Sequence, residues 1–378
     1  MRHRVGLILN TNEENLKQPN PIEVAESASY EEGDFQDVPP SDIVAYNELR
    51  SCADLFRMYE DDSLDISPTF QREVAWKGPA QTRFIDSLIK QLPIPSLCFS
   101  YDYKNEEWQV IDGLQRISSV IRFLDEKSDW VLASLEDVDP RITNKRVKDF
   151  HKKGTELNKL RRRVENATLP ITVLRCDPSL ESHSNYLFTI FHRLNTGGVK
   201  LNNQEIRNCI YSGTFNEMLR ELDQNPDWIA INGLKAPAND RFRRQEIILR
   251  FFAFNEHFEK YKEGLAKFLN NYMQANRNLG AEEIAQKKEL FERIVKVIRL
   301  KLGKRVTQER LTLSLFEALM VGVARNIDKV EALAPAEVGR RFDTLKGHEE
   351  FTEAKLVEGL SKTVRVAGRL NAAVRSFD

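Results

Sequence analysis

The residues best suited to chemistry fall in three short stretches. In QVIDGLQRISSVIRF, Gln109 to Phe123, an acid, an amide and a guanidinium surround one glycine: Asp112, Gln115 and Arg116 beside Gly113. A carboxylate in such a place holds Mg²⁺ or orients an attacking water, and a guanidinium pairs with phosphate oxygens through two parallel hydrogen bonds. Gln115 would position that water or a phosphate oxygen. In FHRLNTGGVKLNNQEIRN, Phe191 to Asn208, the residues His192, Arg193, Asn195, Glu205 and Arg207 lie near the pair Gly197-Gly198. A third polar pair, Gln71-Arg72, sits in LDISPTFQREVAW, Leu64 to Trp76. Each stretch also has a plainer reading. Asp112 would cap a helix with Arg116 in a surface ion pair, and the double glycine would only turn a helical hairpin.

The elements that must position these groups can be read from periodicity. Gln109 to Ile111 reads as the end of a buried strand, and Asp112-Gly113 as a tight turn. Ile117, Val120, Ile121 and Leu124 then follow on one helical face. A helix start beyond a strand leaves unpaired N–H groups that favour anions. Upstream, Ser41 to Tyr59 reads as a helical lead-in, Ala80 to Leu92 as an amphipathic helix, and Ser96 to Tyr101 as a strand. Asn105-Glu106 makes a turn to a returning strand at Trp108, and Leu169 to Cys176 is a further, β-branched strand. Ser182 to Asn195 is helical and stops at the glycines. Asn202 then opens another helix with Glu205 three residues on, close to a capping box.

Beyond Gly213 almost everything has helical spacing. The spacing predicts an α+β region with a small mixed sheet over 41–213 and an all-helical region over 214–378. An acidic, loosely ordered arm over 1–40 precedes them. The phenylalanine stripes of the helical region read as core rather than as a stacking platform.

Composition narrows the partners. With 378 residues, 41% hydrophobic and 30% charged, the chain has an ordinary globular balance. A net charge of −1 means that nucleic-acid contact must use a local patch. Two such patches exist. One is a basic insertion over 139–165, with Lys152, Lys153, Arg161, Arg162 and Arg163; the other spans 241–250, with Arg243 and Arg244. Either would hold backbone phosphates. The plain alternative for the insertion is a solvated face offset by Asp137, Asp139, Glu156 and Glu165. Four scattered cysteines without C-x-x-C spacing suit reduced thiols and a cytoplasmic setting. No apolar run reaches membrane-spanning length, and the N-terminus lacks a cleavage-like signal. A P-loop, an H-E-x-x-H pair, a G-x-S-x-G elbow and a histidine nuclease cluster are all missing from the sequence.

Four pieces taken together resemble one family. They are ISPTFQREVAW, FIDSLIKQLPIPSL, VIDGLQRISSVIRFL and FHRLNTGGVKLNNQEIRN, spanning about 50–215 in order. The chain resembles the bacterial family marked by a DGQQR motif, the N-terminal domain of GmrSD-type modification-dependent restriction enzymes. That family is similar to the ParB/sulfiredoxin fold. The resemblance implies a nucleotide-binding, NTP-hydrolysing module used against foreign DNA, with NTP and Mg²⁺ as ligands. By motif it carries over Gln71, Arg72, Asp112, Gly113, Gln115, Arg116, Arg193, Asn195, Gly197 and Gly198. Asp112 is the implied metal ligand, with Gln115 and Arg116 as its catalytic companions. Leu114 departs from the motif, standing where its first glutamine would be. The C-terminal nuclease histidines are also missing, so nuclease activity would come from a separate subunit. The competing expectations are a DNA-binding module without catalysis, acting on double-stranded DNA, and a scaffold subunit. The oligomeric state is left open.

Overall fold

The computed structural model describes residues 40–66, 76–194, 202–231, 242–262, 264–308, 311–357 and 359–378. Nearly all of the expected acidic arm lies outside them. Five strands build one mixed sheet: β1 (Val44–Ser51), β2 (Leu64–Asp65), β3 (Leu97–Asp102), β4 (Glu107–Asp112) and β5 (Thr168–Cys176), in the order β1-β5-β3-β4-β2. The pairs β1–β5 and β3–β4 are antiparallel, whereas β3–β5 and β2–β4 are parallel.

Register explains which face is buried. Ile171 lies beside Leu97, Val173 beside Phe99, and Phe99 beside Val110, and all five are at most 2% exposed. Side chains at paired positions share a face, so these strands present one apolar surface. The helices α1 (Cys52–Glu60), α2 (Gly78–Ile89), α3 (Leu114–Leu124), α4 (Val147–Phe150) and α5 (Glu156–Asn166) add to the same core. They contribute Leu55, Ile85, Leu88, Ile117, Val120, Phe150, Leu160 and Val164. In α3 these are the positions whose spacing predicted an inward stripe.

Two helices lead out of this region: α6 (Glu181–Leu194) and α7 (Asn203–Ile210). The remainder is helical: α8 (Thr214–Leu222), α9 (Pro226–Ile231), α10 (Arg243–His257), α11 (Leu265–Asn276), α12 (Ala281–Gln308), α13 (Leu313–Arg325), α14 (Ile327–Ala332), α15 (Pro335–Lys346), α16 (Glu353–Val357) and α17 (Thr363–Phe377). The chain is therefore α+β, a small mixed sheet followed by helices. Phe215, Phe251, Phe252 and Phe291 are fully buried and meet edge-on or tilted, as a core. Among the described residues no helix is long and apolar enough to cross a membrane.

Two expectations are corrected. Ser41 to Tyr59 is not one helix. Residues 44–51 form β1, paired over its whole length with β5, and the helix begins only at Cys52. Ser51 marks the start by accepting the Asp54 N–H at 3.0 Å. The helical spacing of Cys52 and Leu55 was real; the residues before it are claimed by a strand from far along the chain. Similarly, the helix expected to run to Leu92 ends at Ile89, and Leu92 is 50% exposed. Gln91 takes a positive φ of 55° there, which breaks the helix before the leucine can turn in.

Candidate functional site

The corner at Asp112 forms where β4 ends and α3 begins. Gly113 makes the turn with φ 96° and ψ 12°, in the left-handed region. A Cβ at that position would lie 2.0 Å from Leu97 Cδ2 and 3.1 Å from Arg116 Nη2, so the turn is closed to any larger residue. Gly113 itself is the N-cap residue of α3, with no side-chain cap bond, so the expectation that Asp112 caps the helix is not met. Asp112 instead accepts Arg116 Nη2 at 2.7 Å.

Arg116 is held on three sides. Nη1 donates to Pro95 O at 2.6 Å, and Nη2 donates to Ser96 O at 3.4 Å as well as to Asp112. Three of the five guanidinium N–H groups are therefore committed. Its side chain is 14% exposed whereas that of Asp112 is 42% exposed. Burial draws the Arg116 pKa down, with Asp112 pulling it back up. The arginine thus braces the acid and the 93–96 loop, leaving the carboxylate as the open member of the pair. Gln115 Oε1 accepts the Trp76 N–H at 3.3 Å.

Leu114 resolves what its departure from the motif means locally. It is 8% exposed and belongs to the hydrophobic core, so position 114 points away from the open side of the corner. Opposite Asp112 in the ladder stands Cys98, 7% exposed. Burial, and secondarily Asp112, push its thiol up to about 12, which makes it an inert neighbour.

The other predicted residues divide. Gln71, Arg72, Asn195, Gly197 and Gly198 lie outside the described residues. Arg193 is exposed in the last turn of α6. At the start of α7 the expected capping box is complete: Asn202 Oδ1 accepts the Glu205 N–H at 2.9 Å, and Glu205 Oε2 accepts the Asn202 N–H at 2.7 Å. Arg207, expected near the glycine turn, is instead 1% exposed and directed into the helical region.

The two basic stretches differ. In the insertion, Lys152 pairs with Asp149, Lys159 with Glu156 and Arg161 with Glu165. Lys153, Arg162 and Arg163 are exposed and form no ion pair among the described residues. In the second stretch Arg244 donates twice to Asp223, at 2.9 Å each, and Arg250 is buried against Glu317. Arg243 is half-buried. That stretch turns mostly inward.

Periodicity missed Gln109, whose Nε2 donates to Cys209 O of α7 at 2.6 Å, and the Pro95 and Ser96 carbonyls. The signal available for Gln109 was an amide in an otherwise apolar strand end.

No curated protein and no solved structure matches the chain. Residues 52–212 match the family model for the GmrSD restriction endonuclease, N-terminal domain. The match spans strands β2 to β5, the Asp112 corner and all of α7, and leaves out β1, so this segment is similar to a GmrSD-type N-terminal domain, which suggests a restriction-type defence system.

Proposed function

We infer that residues 52–212 bind a nucleoside triphosphate with Mg²⁺ at the Asp112 corner and hydrolyse it, within a defence system acting on foreign DNA. One observation carries the reading: the half-exposed Asp112 carboxylate at a strand end, fixed in direction by Arg116 and followed by a glycine turn into a helix start. Helix starts attract anions, and an immobilised carboxylate beside one can hold the counter-cation of a phosphate. Among the described residues no three His, Cys, Asp or Glu side chains gather as metal ligands. Asp112 offers a single, half-exposed carboxylate, and Mg²⁺ is commonly bound by one or two carboxylates plus water and phosphate oxygens.

In this reading Asp112 takes the metal or orients the attacking water, and Gln115 positions that water. Arg116 sets the carboxylate rather than clamping phosphate, because three of its N–H groups are engaged. Arg72 and Arg193 supply positive charge to the phosphates. Gln71, Asn195, Gly197 and Gly198 complete the nucleotide contacts.

The test is turnover of the four NTPs with Mg²⁺ by wild type, Asp112→Asn and Arg116→Ala. Wild type should hydrolyse at least one. Asp112→Asn should lose about 10²-fold or more, the usual cost of removing a charge-stabilising group, and Arg116→Ala should abolish turnover while staying folded. Wild-type rates in Asp112→Asn would refute the assignment.

A second reading is favoured by Lys153, Arg162 and Arg163, which are exposed and form no ion pair among the described residues. They, with Lys152, would hold duplex DNA for a separate nuclease subunit. Affinity should then fall steeply with salt and vanish on charge reversal at 161–163; salt-independent binding rules it out.

A further inference from the structure

The helix α7 has an unusual composition for its setting. All eight residues of Asn203–Ile210 are buried, yet five of them are polar or charged. Arg207 is the extreme case at 1% exposed. Its Nη1 donates to Glu246 Oε2 at 3.0 Å and to Gln204 Oε1 at 3.3 Å, and its Nε donates to Asn270 Oδ1 at 2.9 Å. Its guanidinium also lies over the Phe188 ring, 5.7 Å from the centroid. Beside it, Asn208 Nδ2 donates to Gln245 Oε1 at 3.0 Å, and Gln245 Nε2 donates to Asn216 Oδ1 at 3.2 Å. The partners come from α8, α10 and α11, all in the helical region.

A buried guanidinium is costly unless its directional bonds are met, so α7 has one favourable rotation and one height along its axis. Turning it would break bonds to three helices together. From the other side, Gln109 Nε2 reaches Cys209 O at 2.6 Å. Gln109 lies three residues before Asp112 on β4, the strand that carries the acid to the corner.

We propose that Gln109 and Arg207 are positioning residues through which the helical region fixes the Asp112 corner. Arg207 sets α7 against α10 and α11, and Gln109 transfers that setting to the end of β4. This rests on the reading of the corner as the nucleotide site. It adds that the helical region governs how the site is held.

The experiment is amide hydrogen exchange on the full chain without nucleotide, in wild type, Gln109→Leu, Asn270→Ala and the double variant. Both single variants should speed exchange about tenfold at 110–117 and at 203–210, the effect of one lost hydrogen bond of ordinary net strength. The double variant should be no faster at 110–117 than the faster single, because both cut one linkage. Exchange in α15, which holds no member of this network, is the internal reference and should not change.

Wild-type exchange at 110–117 in Asn270→Ala overturns the proposal. So do multiplying effects in the double variant, or an equal rise in α15. If Asn270→Ala does not fold, Gln109→Leu decides alone: a change inside the sheet either loosens α7, as expected, or leaves it untouched and the proposal fails. With Mg²⁺ and nucleotide, Gln109→Leu should lower kcat with KM unchanged. A wild type that neither binds nor hydrolyses any NTP ends the nucleotide reading, while the exchange comparison still decides the linkage.

Discussion

Arg116 and Arg207 each face a carboxylate, but their settings are opposite. The Asp112–Arg116 pair lies at the surface end of a strand, with the acid 42% exposed and the guanidinium tied to backbone carbonyls. The Arg207–Glu246 pair is sealed, with side chains 1% and 6% exposed, and continues through Arg250 to Glu317 as a buried line of alternating charge. Alternation keeps that line electrically neutral, which is how four ionic groups can sit in an apolar interior. An acid left open to solvent can exchange partners with a ligand. A sealed one can only specify how its helices pack. In the proposed reading the same residue types do chemistry at one place and architecture at the other, and solvent access decides which.

The contrast can be broken most directly by cutting one carboxylate from each pair. Glu246→Gln should lower unfolding stability by about 3–5 kcal/mol in urea titrations, since it leaves buried guanidinium charge uncompensated. Asp112→Asn should cost under about 1 kcal/mol in the same titration, while removing turnover. Equal losses would erase the distinction.

Gly113→Ala should destabilise by about 1–3 kcal/mol, from the strained backbone angle and the clash with Leu97. Shortening Leu97 to Ala in the same chain should recover nucleotide binding at the corner more than stability, because it opens the clash but empties part of the core. Asn202→Ala should cost about 1 kcal/mol by removing half of the capping box, read as a shift in the midpoint of thermal unfolding. Its effect should be confined to α7 if that helix is locked mainly by Arg207.

The smallest effect concerns acid. Arg141, by its hydrogen bond and charge, holds Asp139 down at about 2. A depressed carboxyl stabilises the fold above its unfolded value near 3.9, and the contribution disappears as pH falls toward 2. Asp139→Asn should therefore narrow the stability difference between pH 5 and pH 2.5, with its cost present in full at neutral pH and fading as pH falls toward 2.

The legible parts of the molecule are those whose partners are close in sequence. The Asp112-Gly113 turn and the α3 stripe involve residues one to four apart, and both could be read from spacing alone. The same holds for the Asn202–Glu205 box. The strand β1 was misread because its helical neighbour at Cys52 is local, whereas its true partner, β5, lies more than a hundred residues on. Arg207 and Arg244 looked like surface cations for a similar reason. Their acids, Glu246 and Asp223, are distant in the chain, and no periodicity in 191–208 or 241–250 encodes them.

By itself the amino-acid order determined a glycine corner carrying an acid, an amide and a guanidinium, because short-range sterics and hydrogen bonds suffice to build it. Only the tertiary structure decided that Arg116 spends its donors on Pro95 and Ser96, and that Arg207 is sealed against α10 and α11. Whether a charged side chain meets solvent or a buried partner depends on what long-range packing lays over it, and that is written in no single stretch of the chain.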